Sequence, residues 1–164
     1  MKKIIPSIFI ILITALLTTV LIVKGKGEEE YIEFNGSFRF PAMEIKINDR
    51  TLQFDLYENE TSDAFYLKVK EMGSLTLTLS ENGGFEKYGD LGFSLPTNDI
   101  TTTLTCGEVA LYQSNKVCLF YGSNTYSYTK IGKIKFITED DLKELLGEGD
   151  ITITFDFEPT NRLF

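Results

Sequence analysis

The chain has no histidine and no tryptophan in 164 residues, and only two cysteines and four prolines. Without histidine there is no ordinary Ser-His or Cys-His nucleophile pair. Two thiols alone make a poor zinc site. Arginine occurs only as Arg39, Arg50 and Arg162. Gly83-Gly84 and Gly147-Glu148-Gly149 lack the lysine and the spacing of a phosphate-binding loop. No spaced acidic loop points to calcium. Paired acids such as Asp140-Asp141 fall at a helix start and are explained by capping, and nothing in the spacing of Glu86 and Glu108 brings those two together. No cofactor or metal is expected.

Basic residues number 16 against 24 acidic ones. Setting aside Lys2, Lys3, Lys24 and Lys26 leaves 12 against 24 for residues 27–164. A domain this acidic repels phosphate backbones, which excludes nucleic acid as a partner. Cys106 and Cys118 are read as two small buried thiols in preference to a disulfide, since positions twelve apart on neighbouring strands need not face one another.

One long apolar run is present. Residues 4–23 carry no charge and lie between Lys2-Lys3 and Lys24. As a helix this run spans roughly 30 Å, enough to cross a bilayer. It exceeds the about 7–15 apolar residues of a secretory signal and lacks an Ala-x-Ala site. Residues 1–26 are therefore read as an uncleaved anchor in preference to a cleaved signal, with residues 27–164 outside the cytoplasm. The flanking lysines are too even for the positive-inside rule to decide orientation. Residues 27–43 form a charged spacer and then an alternating stretch around Asn35-Gly36, a small hairpin or a tether. Residues 44–158 are the folded domain, and residues 159–164 a tail.

Within the domain, Glu44–Tyr57 alternates on both sides of Asn48-Asp49 and predicts a hairpin. Asn59–Gly73 shifts to helical spacing, with Ser62 or Thr61 as the cap and Gly73 as the stop. Ser74–Ser80 alternates leucine with threonine and serine, a half-buried strand. Phe85–Pro96 is irregular, and Thr97–Thr105 reads as a long loop. Glu108–Tyr112 and Val117–Tyr121 are strands around a turn at Ser114-Asn115. A second hairpin is expected between Val117–Tyr121 and Thr125–Thr129 across Gly122-Ser123-Asn124. Lys130–Ile137 continues as a strand through Ile131, Ile134 and Phe136, with Gly132 as a bend or bulge. Thr138-Glu139-Asp140-Asp141 has capping-box spacing ahead of Leu142, Leu145 and Leu146. Ile151, Ile153, Phe155 and Phe157 face inward in a closing strand. Many short strands with two isolated helices predict a mainly antiparallel sheet, closed or nearly closed into a β-barrel.

The hairpin ending at Tyr57, the Pro96-Thr97 junction, Gly107–Tyr112, Val117–Ile134 and Gly147–Asp150 resemble the bacterial cyclophilin-like fold family over residues 44–158. The resemblance is most specific at Phe120-Tyr121-Gly122 together with Tyr126–Gly132. It implies a closed β-barrel with a helix over each open end and no established reaction. Prolyl isomerisation, the activity of true cyclophilins, needs an arginine beside a proline pocket with aromatic and histidine members. This chain has no histidine, and none of its arginines lies in such a motif, so fold alone does not transfer the activity.

A membrane-tethered or secreted binding module for a small ligand or peptide is therefore the expected function, with a divergent prolyl isomerase as the alternative. Tyr88, Tyr112, Tyr121, Tyr126 and Tyr128 are the candidate ligand contacts, because tyrosine offers an apolar body and one polar tip. The competing role is core packing. Tyr126 and Tyr128 share one sheet face. Cys118 and Phe120 face opposite to Leu119 and Tyr121, so only one of those pairs is expected inside.

Overall fold

The computed structural model describes residues 21–24, 30–34, 37–39 and 42–157, the first three segments as backbone. The chain divides into two compact units, Met1–Arg39 and Phe40–Phe164. In the first, β1 (Leu21–Lys24), β2 (Glu30–Phe34) and β3 (Ser37–Arg39) form an antiparallel sheet in that order. β2 and β3 pair antiparallel on either side of Asn35-Gly36, which lie outside the described residues. β1 takes in the last residues of the apolar run and the lysine that follows it. The rest of the expected helix, residues 4–20, lies outside the described residues, as does the tail beyond Phe157. Among the described residues no helix is long and apolar enough to cross a membrane.

The second unit opens with the expected hairpin of β4 (Met43–Ile47) and β5 (Arg50–Leu56). Its turn places Asn48 at φ 52°, a left-handed conformation that asparagine tolerates. Next come α1 (Glu60–Met72), β6 (Leu75–Asn82), β7 (Glu86–Asp90) and β8 (Ile100–Leu104). The chain continues with β9 (Glu108–Tyr112), β10 (Lys116–Phe120) and β11 (Asn124–Ile134). It ends with α2 (Glu139–Leu146) and β12 (Ile151–Phe157). The nine strands form one sheet in the order β5-β4-β12-β6-β7-β10-β9-β11-β8, all pairs antiparallel. A further pairing of β5 with β11 closes eight of them into a ring, leaving β8 on the edge of β11.

One face of seven of the eight ring strands, all but β7, supplies the main core: Ile45 and Ile47 of β4, Phe54 of β5, Leu77 and Leu79 of β6, Leu111, Leu119, Ile131, Ile153 and Phe155. Period-two alternation makes this set legible, because consecutive side chains point to opposite faces. Phe54, Phe65 and Phe155 meet with centroids 5.0–6.5 Å apart. Phe65 and Val69 bring α1 onto this core, and Leu142 and Leu146 bring α2. Cys106 and Cys118 are free thiols.

Several expectations are corrected. Val117–Tyr121 and Thr125–Thr129 are consecutive but do not form a hairpin, since β10 spends its two edges on β7 and β9. β11 pairs instead with the far edge of β9. The threonine-rich loop contains β8, paired with the first half of β11, where the Thr103 and Thr125 hydroxyls lie 2.7 Å apart. β-Branched threonine suits such an edge ladder. The irregular Phe85–Pro96 stretch contains β7. A Cβ at Gly89 would lie 2.4 Å from the Thr78 carbonyl oxygen, so glycine is what lets β7 approach β6. The expected bulge is present between Lys130 and Gly132. β11 stops at Ile134, and Phe136 is turned out at φ 56° with 90% of its surface exposed.

The helix starts show what the sequence could and could not specify. Thr138 caps α2 as expected, accepting from the Asp141 amide, although Asp141 answers by accepting from the Thr138 hydroxyl at 2.7 Å rather than from the backbone. α1 is capped by Asn59 rather than Ser62 or Thr61. Those two hydroxyls are buried and donate to the carbonyls of Ile131 and Pro96. The Asn59 amide also donates to the Lys130 carbonyl at 3.0 Å, so one side chain both starts α1 and fastens it to β11. In urea unfolding of the full chain, Thr138→Ala is expected to cost about 0.5–2 kcal/mol. Asn59→Ala is expected to cost that plus a further about 0.5–1.5 kcal/mol for the bond to β11. Equal losses would remove the fastening role.

Candidate functional site

The strands β9, β10 and β11 are buried on both faces, because their outer side carries a second cluster. Leu104 of β8, Ala110, Cys118, Phe120 and Tyr128 form it, with Phe85 and Tyr112 packed against it. Cys118 and Phe120 are therefore buried on one face while Leu119 and Tyr121 are buried on the other. The expectation that only one pair could be inside assumed that the ring has a single covered face.

Register builds the outer surface row by row. Tyr88, Cys118 and Ala110 stand opposite one another across β7, β10 and β9, and Glu86 stands opposite Phe120. Tyr126 and Tyr128 lie beyond them on β11. Of these, Glu86, Tyr88, Cys118, Tyr126 and Tyr128 line an open cavity of about 410 Å³ together with Asn82, Phe85, Tyr112, Lys116 and Asn124. That falls within the usual range for small-molecule pockets, about 300–1,000 Å³.

Four of the five candidate tyrosines meet here, namely Tyr88, Tyr112, Tyr126 and Tyr128. Tyr112, Tyr126 and Tyr128 form a triangle of edge-to-face rings with centroids 5.7–6.2 Å apart. Phe120 supports Tyr128 at 5.2 Å and stacks on Phe85. Burial divides the roles: Tyr128 is 4% exposed and belongs to the floor, whereas Tyr126 is 54% exposed and belongs to the rim. Tyr121, just past the end of β10, belongs to the main core on the other side of the sheet. Its hydroxyl donates to Glu81, and it lines a separate hollow with Lys87 and the end of α2.

Glu86 is the residue that sequence reasoning missed as a site member. It is 3% exposed, and its carboxylate accepts from Asn82 at 2.6 Å and from the Tyr128 hydroxyl at 3.4 Å. The Cys118 thiol donates to it as well. Burial pushes this carboxyl above its ordinary value, and the three hydrogen bonds offset only part of that. The same burial raises the Cys118 thiol strongly, with the Glu86 charge adding to it, which makes the thiol a poor nucleophile. Tyr128 is pushed up to about 12, first by burial and then by the nearby Glu86 charge, against the Asn124 donation. A signal for Glu86 did exist, since it lies two residues from Tyr88 and so shares its face.

Glu108 is the instructive contrast. Burial alone would raise it, but Lys130 at 2.9 Å, the Thr105 amide and the Tyr57 hydroxyl hold it below the ordinary value. Glu86 and Glu108 share no partner and form no acid pair. Arg50 sits exposed at the β4–β5 turn, outside the cavity lining. Among the described residues no three Cys, Asp or Glu side chains converge on a common metal position.

Known proteins resemble this chain chiefly in fold. The family model described as the cyclophilin-like family matches residues 45–156. A solved structure of McbB in complex with tryptophan superposes with a TM-score of 0.53 at 14% identity, covering 74% of this chain and 46% of that one. The chain thus spans under half the length of that neighbour, and the likeness is one of fold. No curated protein matches.

Burial at this site has measurable effects on stability. A carboxyl raised on folding binds more protons in the native state, so Glu86 weakens the fold as pH rises above the ordinary carboxylate range of about 4.3. Glu86→Gln should gain stability relative to the parent as pH rises from there to neutrality. A constant difference across that window in thermal melts would reject the assignment. Tyr128→Ala should lose about 3–5 kcal/mol through the cavity it leaves, while Tyr126→Ala should melt close to the parent. Similar melts for both variants would overturn the division into floor and rim.

Proposed function

Because the chain belongs to the cyclophilin-like family, we propose that its ring of strands is the closed barrel of that family and that its outer cavity makes the protein a binding module for a small, flat ligand or a single peptide side chain. The observation that carries this reading is the cavity itself. Ring faces line an open volume of small-molecule size, and the floor is rigid because Tyr128 is held by Phe120, Tyr112 and the Asn124 amide. Pockets that bind small molecules combine such apolar walls with a few placed polar groups. Here those groups are Glu86, Asn82 and Asn124.

The chemistry at hand favours binding over turnover. The base beside the Cys118 thiol and the Tyr128 hydroxyl is Glu86, and burial together with the Glu86 charge raises both groups, away from the thiolate and phenolate that a nucleophile needs. A prolyl isomerase would need a cation placed to polarise the amide. The cavity's one basic residue is Lys116, which stands 6.0 Å from the Tyr88 ring centroid. The apolar run ahead of the domain supports tethering at a membrane with the domain outside the cytoplasm.

Two measurements test the proposal. Millimolar 2-phenylethanol, 2-phenylethylammonium and 3-phenylpropionate are titrated separately into the full chain while the tyrosine ring signals are monitored by NMR. At least one should shift Tyr126 and Tyr128, with the response lost in Tyr126→Ala. If none does, the cavity is not a binding site. For topology, protease added to intact cells should digest the domain, and protection until lysis would place it in the cytoplasm.

A further inference from the structure

The outer cavity contains an imbalance of charge that the fold does not resolve internally. Glu86 is almost wholly buried, and its partners, Asn82, Cys118 and Tyr128, are all neutral. Among the described residues it has no ion pair, although the equally buried Glu108 is given Lys130 at 2.9 Å. Removing a carboxylate from water without a counter-ion is costly, and hydrogen bonds from neutral donors recover part of the loss. Lys116 does not serve. Its backbone stands opposite Asp90 at the other end of the β7–β10 ladder from Glu86, four residues or about 13 Å along the strand, and no ion pair joins Lys116 to Glu86 among the described residues.

The walls around Glu86 carry the same sign. Aromatic rings present a negative face, and a cation within about 6 Å of the ring centroid is attracted to it. The lining shows this attraction in use, since the Lys116 ammonium lies 6.0 Å from the Tyr88 centroid at the cavity rim. Tyr112, Tyr126 and Tyr128 add three more rings, and none of the described cation–ring contacts falls on them. An acid at the floor and rings around it form an environment for a positive group, and the volume of about 410 Å³ suits a small molecule or one side chain.

Resting on the reading of this cavity as a binding site, we propose that its ligand carries an organic ammonium group, which seats against the Glu86 carboxylate among the faces of Tyr88, Tyr112, Tyr126 and Tyr128. The ligand supplies the counter-ion that the fold withholds. Its apolar part packs on Phe85 and the rim tyrosines. The raised affinity of Glu86 for protons is the other side of the same deficit. Lys116, at the rim, opposes entry of a second positive charge and so limits affinity rather than providing it.

The test compares the same three probes, which share a phenyl ring on a short chain and differ in charge. In calorimetric titrations of the full chain at neutral pH, 2-phenylethylammonium should bind about tenfold tighter than 2-phenylethanol, with 3-phenylpropionate weakest. Glu86→Gln should abolish the advantage of the ammonium over the alcohol. Lys116→Gln, at the rim and outside both cores, should raise ammonium affinity and keeps the test sound if the buried substitution perturbs folding. Equal binding of alcohol and ammonium, or a preference for the carboxylate, overturns the charge assignment and leaves the binding site standing. An ammonium preference unchanged by Glu86→Gln and by Lys116→Gln also overturns it. If no probe binds, the binding site and its ligand class fall together.

Discussion

Closure of the ring depends on the second half of β11, which has to run between β9 and β5 with both neighbours at ladder distance. Gly132 pairs with Val109 on one side and Leu56 on the other. A Cβ there would lie 2.5 Å from the Asp55 carbonyl oxygen and 2.5 Å from the Phe54 ring. Real side chains do not tolerate such contacts, so the absence of one at this position sets how near β5 can come. The bulge just before it turns two carbonyls away from the ladder. α1 and its lead-in take them up: Asn59 donates to Lys130, while Tyr57 and Ser62 donate to Ile131. The same irregularity that closes the sheet therefore anchors the first helix, and among the described residues no buried side-chain polar atom is left without a partner.

The second consequence of this geometry is an outer face that is covered rather than wet. The first half of β11 leaves the ring to pair with β8, and Leu104 and Tyr128 come to stand over the backs of β9 and β10. Successive residues of β7 then meet opposite environments. Glu86 turns outward into the aromatic cavity, while Lys87, 1% exposed, turns inward, donates to the Gly149 carbonyl and pairs with Glu81 at 3.5 Å. Two adjacent buried charges are thus treated differently: the lysine is neutralised within the fold and the glutamate is not. A buried group that opposes stability is commonly retained at a functional site, and this one lines the cavity in which the tyrosines converge.

Local pattern determined much of this protein. Period two gave the inward sets of β4, β5, β6 and β12, threonine at the right offset gave the start of α2, and glycine marked the bulge, because each of these signals acts over a few residues. The convergence of Tyr88, Tyr112, Tyr126 and Tyr128 was legible only as an abundance of tyrosine on strands. Tertiary structure decided the rest. Whether β10 pairs with β11 or with β9 and β7 depends on which strand edges remain free once the sheet is assembled. Whether Cys118 and Phe120 face water depends on β8, a segment whose threonines read as loop until a partner edge is present. Glu86 came to line the cavity for the same reason: alternation put it on the face of Tyr88, but only pairing of distant strands buried that face and left its charge without a counter-ion.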